Sequence, residues 1–356
     1  MENGYKVTAR DCTVEFTEKK SRFICHLKYA ETEKEAQDFI SSVRAMHKDA
    51  THNCTAYRLW NPRTERFSDD GEPSGTAGMP MLEVMKKGAF FWQLDKAVQN
   101  KEADTLEQVL QKLVTLGLSF TDVGAVDLTR GRGPRQLSAK LKNNGIYAAS
   151  FYYIVNFDDV SIDLTELSKR MADCCAQLDC KLLMPVPRIT TPDSGFNERR
   201  QRQDKIIEYL YETESIAEKY DIKITIENFS DIRTPFSTID DIKYFLKKLP
   251  DIYYTLDTGN FWFTDNDPLH AADEFASKII HVHLKDIMPK SDGYLNINKK
   301  TCDSVAVSDG IIPIENILRK LNKTGYDKGI SIEINDVSRL LENTIKSLDY
   351  LKKLGY

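Results

Sequence analysis

From about residue 88 onward, short apolar runs alternate with helical sequence, and this alternation constrains the fold more than any other feature of the chain. Candidate strands lie near 88–93, 119–124, 146–151, 181–186, 223–227, 252–257, 279–284 and 329–334. Helical patterns follow most of them. Leu106 to Val114 carries apolar residues at 106, 109, 110, 113 and 114, one stripe of a helix. Glu198 to Tyr220 reads as a long charged helix with Ile206, Ile207, Leu210 and Ile216 turned inward. Ile239 to Leu249, Ile314 to Leu321 and Val337 to Leu354 repeat the pattern. Turn residues bound the units, as in Gly325-Tyr-Asp-Lys-Gly329. Strands alternating with helices make βα units and a parallel sheet. Eight such units in residues 88–356 predict an α/β fold closed as a (β/α)8 TIM barrel, whose usual size is about 250 residues.

In such a barrel the C-terminal strand ends converge on one mouth, where active sites lie. Four candidate strands end on or near a metal-competent group. They are Lys223-Ile-Thr-Ile-Glu227, Tyr253-Tyr-Thr-Leu-Asp257, Ile279-Ile-His-Val-His-Leu284 and Gly329-Ile-Ser-Ile-Glu333. A single acid there is often a helix N-cap. Glu227, Asp257, His283 and Glu333 on four successive strands would instead repel one another and be costly to desolvate without a counter-ion, which a divalent cation would supply. Oxygen-rich ligation with one imidazole suits one Mn2+, Mg2+ or Co2+ ion, with Zn2+ ranked below them. Such an ion polarises a sugar carbonyl beside a hydroxyl, and two glutamates flanking the substrate, Glu227 and Glu333, would take and return the proton of the adjacent carbon. His281 lies two residues from His283 and so on the same side of the strand, as a substrate neighbour or a packed residue. Lys285 and Asp286 either contact substrate or cap the next helix. Arg188, after the fourth strand, is a candidate to meet a phosphate.

A net charge of −5 argues against a nucleic-acid or membrane-surface binder. No apolar run approaches the roughly 20 residues of a membrane span, and the N-terminus has no signal-peptide pattern. Seven irregularly spaced cysteines point to reduced thiols in a cytoplasmic chain. Oligomeric state is left open, a homo-oligomer included.

Residues from about 88 to 356 resemble the sugar phosphate isomerase/epimerase family of xylose-isomerase-like TIM barrels. The matching elements are Ile224-Thr-Ile-Glu-Asn228, Leu256-Asp-Thr-Gly259, His281-Val-His-Leu-Lys-Asp286 and the tail Asp309-Gly-Ile-Ile-Pro313 … Gly325-Tyr … Ser331-Ile-Glu333. The resemblance implies that Glu227, Asp257, His283 and Glu333 bind the metal and that the two glutamates are acid and base. Many members carry His three residues after the strand-six Asp; here Asn260 stands there as a substrate contact. The superfamily also contains endonuclease IV, a multi-metal phosphodiesterase rich in histidine. This barrel has only His270, His281 and His283, which argues against that activity.

The first quarter of the chain has a different character. Its apparent order is strand (about 22–29), helix (about 32–47), strand (about 54–60), a glycine-rich loop and a short helix from Met79. Residues from about 12 to 87 resemble the start of the IMPACT/YigZ family. The carrying motifs are Glu15-Phe … Lys19-Lys-Ser-Arg-Phe-Ile24, Asp49-Ala-Thr-His52 … Ala56-Tyr57 and Ser68-Asp-Asp-Gly-Glu-Pro-Ser-Gly-Thr-Ala-Gly-Met-Pro80. His52 with Asp69 and Asp70 makes either a small polar site or a loop folded on its own carboxylates. Residues 1–87 are therefore expected to form a small, incomplete α+β domain, joined to the barrel near Met85 without a linker. The expected activity is a metal-dependent isomerase or epimerase of a carbohydrate. Alternatives are a dehydratase or hydrolase on the same barrel, or a translation-associated regulatory protein working through the N-terminal segment.

Overall fold

The computed structural model describes residues 11–18, 21–60, 63–73, 77, 81, 87–128, 132–189 and 195–356. Contacts divide the chain into two units, Met1–Met85 and Lys86–Tyr356.

In the first unit, β1 (Cys12–Glu18) pairs antiparallel with β2 (Ser21–Leu27), and β3 (Thr55–Trp60) with β4 (Arg63–Ser68). The helix Glu33–Met46 lies between them in sequence and starts where the Thr32 hydroxyl accepts the N–H of Glu35. The two hairpins form separate sheets. Val14, Phe23 and Leu27 are exposed, and among the described residues of this unit only Ala36 and Leu59 are buried apolar side chains. Strands β1 and β4 are additions to the sequence reading. The loop after Ser68 folds on its own carboxylates: Asp70 accepts the N–H of Asn53 at 2.6 Å, Asp69 accepts that of Ala77 at 2.9 Å, and the Asp70 carbonyl meets His52 Nδ1 at 2.8 Å. The helix expected from Met79, the pair Lys19-Lys20 and the join at Met85 lie outside the described residues.

The second unit is a closed parallel barrel. Its strands are β5 (Lys87–Phe90), β6 (Leu118–Gly124), β7 (Tyr147–Asn156), β8 (Leu182–Arg188), β9 (Lys223–Glu227), β10 (Tyr253–Asp257), β11 (Ile279–Leu284) and, after a hairpin of β12 (Asp286–Leu295) and β13 (Thr301–Val305), β14 (Ile330–Ile332). Each barrel strand pairs with the next, and β14 closes on β5. All eight expected strands are present. The expected helices appear as Leu106–Val114, Phe196–Glu218, Ile239–Lys248, Ile314–Lys323 and Leu340–Lys353. Two begin with capping boxes, Thr105 with Gln108 and Thr238 with Asp241, which satisfy otherwise orphaned N–H groups.

The lower interior of the barrel is filled by Phe120. A Cβ built on Gly88 would fall 2.0 Å from its ring and one on Gly329 2.8 Å from it, so both strands approach only because these positions are glycine. All seven cysteines are free. Among the described residues, no helix is long and apolar enough to cross a membrane.

Candidate metal centre

Alternation along the strands sets the interior. Thr225 and Glu227 share one side of β9, Thr255 and Asp257 one side of β10, and His281 and His283 one side of β11. The Thr225 and Thr255 hydroxyls meet at 2.8 Å, one layer below the acids. Glu333 follows β14, and its N–H bonds the Leu284 carbonyl at 3.0 Å, which extends the strand pairing by one residue. Ligand-type atoms of Glu227, Asp257, His283 and Glu333 therefore all lie within 4.8 Å of one another.

His283 is the hub. Its Nδ1 hydrogen-bonds the Glu227 carboxylate and lies 3.8 Å from Glu333 Oε2. Its Nε2 faces Asp122 at 3.9 Å. Burial opposes a charge on this ring, but the carboxylates of Glu227, Asp122 and Glu333 outweigh it and raise the pKa to about 9. Asp257 Oδ1 accepts the N–H groups of Gly259 and Asn260, both at 2.8 Å. Asn228 braces the same strand end: its Oδ1 accepts the Asp257 N–H at 3.0 Å and the Tyr254 hydroxyl at 2.6 Å.

Lys285 enters the cluster as a buried cation. Its Nζ stands 2.9 Å from Asp257 Oδ2, 2.8 Å from Glu333 Oε1 and 2.9 Å from Asn260 Oδ1. Burial disfavours the ammonium, yet Asp257, Glu333 and Glu227 raise its pKa above the ordinary lysine value. The segment Asp257-Thr-Gly-Asn260 is built around this side chain. Thr258 Oγ1 donates to the Lys285 carbonyl and accepts its N–H, both at 3.0 Å. A Cβ on Gly259 would lie 2.8 Å from both Lys285 Cγ and its carbonyl oxygen, so only glycine leaves room. Burial raises the Glu333 carboxyl, Lys285 opposes the shift, and Asp257 and Glu227 add to it, leaving the pKa at about 8.

Three carboxylates and one imidazole are a fitting donor set for a divalent cation. Asp257 Oδ2 is buried without a hydrogen-bond partner, held only by its ion-pair contact with Lys285. The counter-ion that the sequence reading assigned wholly to a metal is supplied in part by Lys285.

Of the other expected site residues, Asn260 and Lys285 join the cluster. His281 lies deeper, with Nε2 3.0 Å from Asp122 Oδ1 and its ring beside Phe120. Asp286 holds a loop, accepting the N–H groups of Ile287, Ser308, Gly310 and Ile312 at 2.9–3.1 Å. Arg188 closes β8, is exposed, and lines a cleft of about 350 Å³ with Val186, Ile189, Phe229 and Arg233 rather than entering the cluster. A larger cleft, about 500 Å³, opens beside Asn260 between Phe229, Arg233, Phe263, Tyr294 and Asn335. Sequence reading missed Asp122 of β6, which is fully buried. Burial opposes its ionisation, but the charge of His281, close against Oδ1, with the charge of His283 and the Ser150 hydrogen bond, holds its pKa down at about 2. The available signal was a lone acid within the apolar run Leu118–Gly124.

Residues 110–354 match the family described as Xylose isomerase-like TIM barrel, and residues 19–91 match the Impact N-terminal domain. The IMPACT family member YvyE of Bacillus subtilis is 59% identical over 69 residues, 19% of this chain and 32% of that protein. The chain thus spans about a third of that relative's length. An inosose dehydratase of Geobacillus kaustophilus is 25% identical over 254 residues, 64% of this chain and 80% of its own. Two solved structures share the fold. The IolI protein with a bound zinc atom has a TM-score of 0.57 at 17% identity, covering 75% of this chain and 96% of its own. A D-psicose 3-epimerase in the presence of D-fructose has a TM-score of 0.57 at 15% identity, covering 76% and 100%. With a closed eight-stranded barrel and a family match over more than half its length, the chain belongs to the xylose isomerase-like TIM barrel family and carries an Impact N-terminal domain ahead of the barrel.

Proposed function

We propose that this protein is a divalent-metal-dependent isomerase or epimerase of a sugar, sugar phosphate or related polyol ketone, with Glu227 and Glu333 as the proton carriers. The observation that carries the reading is the convergence of Glu227, Asp257, His283 and Glu333 within 4.8 Å at the barrel mouth. Those four residues would hold the metal. When bound, a divalent cation withdraws charge from a neighbouring carbonyl and so acidifies the adjacent C–H.

The chain's own residues would do the rest. Glu227 and Glu333 come from different strand ends, so they can address a substrate from two sides. Glu333, with its pKa raised to about 8, is suited both to hold and to give a proton near neutral pH. Return of the proton to the opposite face of the same carbon gives an epimer; return to the neighbouring carbon gives an isomer. Lys285 fixes Glu333 and Asp257 relative to each other, and Phe229, Phe263 and Tyr294 offer apolar walls to the carbon faces of a sugar. The fold shared with a D-psicose 3-epimerase is compatible with this chemistry. Similarity to inosose dehydratase favours a second reading, in which the same proton removal is followed by loss of a hydroxyl as water.

Incubation with ketoses and inososes in deuterated solvent, with Mn2+ supplied, tests both. Deuterium gained at the carbon beside the carbonyl without bond cleavage supports the isomerase, and loss of water supports the dehydratase. Glu227→Gln and Glu333→Gln should each abolish the exchange; near wild-type exchange in either would sink the acid–base assignment.

A further inference from the structure

A second constellation lies beneath the first. Asp122 of β6 and His281 and His283 of β11 bring ligand-type atoms within 4.8 Å of one another, and all three residues are buried. The two oxygens of Asp122 are engaged differently. Oδ1 accepts the Ser150 hydroxyl at 2.5 Å and lies 3.0 Å from His281 Nε2. Oδ2 has no hydrogen-bond partner, and neither have the Nε2 atoms of His283 and His281. Oδ2 and His283 Nε2 face each other at 3.9 Å, about 1 Å beyond hydrogen-bond length.

The two nitrogens of an imidazole are linked: what one does fixes what the other offers. His283 Nδ1 points at Glu227 and Glu333. If Nε2 carries a proton and donates it, Nδ1 presents a lone pair; the opposite tautomer blocks Nδ1 as a ligand.

We infer that Asp122 is a positioning residue, whose Oδ2 charge favours the proton of His283 on Nε2 and thereby leaves the Nδ1 lone pair facing a cation held by Glu227, Asp257 and Glu333. Ser150 donates to Oδ1 and His281 Nε2 lies against the same oxygen, while Oδ2 is the oxygen that faces His283. The inference rests on the metal-dependent reading above. It adds a residue that belongs to neither the proposed ligands nor the proposed proton carriers.

Calorimetric titration of the full-length protein with Mn2+ tests it. In Asp122→Asn, the Ser150 hydroxyl keeps its acceptor while an amide donor replaces Oδ2 opposite His283. That donor favours the wrong tautomer, so Mn2+ binding should weaken by about 10–100-fold. His281→Gln removes the other partner of Asp122 and should leave the affinity close to wild type. If the wild type takes up no Mn2+, the metal reading and this inference fall together. If the wild type binds and Asp122→Asn binds equally well, or His281→Gln loses as much, this inference alone falls. A measurement on the wild type needs no variant to fold. Nitrogen-15 spectra of the imidazoles with Mg2+ bound should show the proton of His283 on Nε2, and a proton on Nδ1 overturns the assignment.

Discussion

Loading the cluster with a divalent cation should expel about two protons near pH 7. Ligands must be deprotonated to bind a metal. Glu333 holds its proton to about pH 8 and His283 to about pH 9. At about 1.4 kcal/mol per pH unit, stripping them at pH 7 costs about 1 kcal/mol for Glu333 and about 3 kcal/mol for His283. The combined cost of about 4 kcal/mol corresponds to roughly a thousandfold loss of apparent affinity relative to a pH above both values. The sign is fixed: raising pH removes the competing protons, so affinity rises. It should climb by about two decades per unit below pH 8 and about one decade between 8 and 9. Calorimetric titration with Mn2+ at pH 7 in buffers of different ionisation enthalpy counts the protons, and a series from pH 6 to 7.5 gives the slope. Release of fewer than one proton per metal, or an affinity that ignores pH, refutes the charge states derived for His283 and Glu333.

Three further outcomes are expected. Without metal, the stability contributed by His283 is complete below its unfolded value of 6.5 and is lost as pH rises through about 9, and that of Glu333 is lost between 4.5 and about 8. The calorimetric melting temperature of the metal-free protein should therefore fall from pH 6 to 9, and fall less with Mn2+ present. Lys285→Met leaves Asp257 and Glu333 buried without their ammonium, a change that should cost about 3–5 kcal/mol in urea unfolding of the metal-free protein; a loss below about 1 kcal/mol would show that Lys285 is dispensable to the cluster. A protein starting at Met85 should bind Mn2+ as the full chain does, because every residue of the cluster lies in the Lys86–Tyr356 unit; loss of binding in calorimetry would make the N-terminal unit integral to the barrel.

Legibility in the sequence followed periodicity. The eight barrel strands could be read because each is a compact apolar run between turn residues, and β9 and β11 match their expected bounds. The first strand was expected to reach residue 93 but ends at Phe90, because Phe91–Gln99 turns directly into helix. The β12–β13 hairpin stayed hidden behind turn signals. Pro289 and Asp292-Gly293 break its alternation, and the pairing jumps from Pro289 to Tyr294 at that point. Gly293 is needed there, since a Cβ would strike the Cys302 backbone at 1.9 Å. The four proposed ligands were legible because each lies at or next to the end of its apolar run. Asp122 escaped the same rule because β6 continues past it to Gly124. Lys285 could not be resolved from sequence, since only packing shows that Thr258, Gly259 and Asn260 are shaped around its stem and ammonium.

That ammonium changes what the acids imply. Four converging metal-competent groups do not by themselves demand a metal, because Lys285, a protonated His283 and a protonated Glu333 already moderate the repulsion. A dication that enters as two protons leave brings no net change of charge to the cluster. Relief of repulsion therefore cannot be the main force that would draw a metal in, and coordination must supply it instead. The contest is then between bonds from three carboxylates and one imidazole and the cost of stripping two protons, with Lys285 retained as a fixed positive neighbour. That neighbour also acts on the chemistry, for it opposes the upward shift of Glu333 and so favours its ionised form. The residue that lessens the electrostatic need for a metal is thus also the one that draws Glu333 back toward the ionised form its proposed role as a base would require.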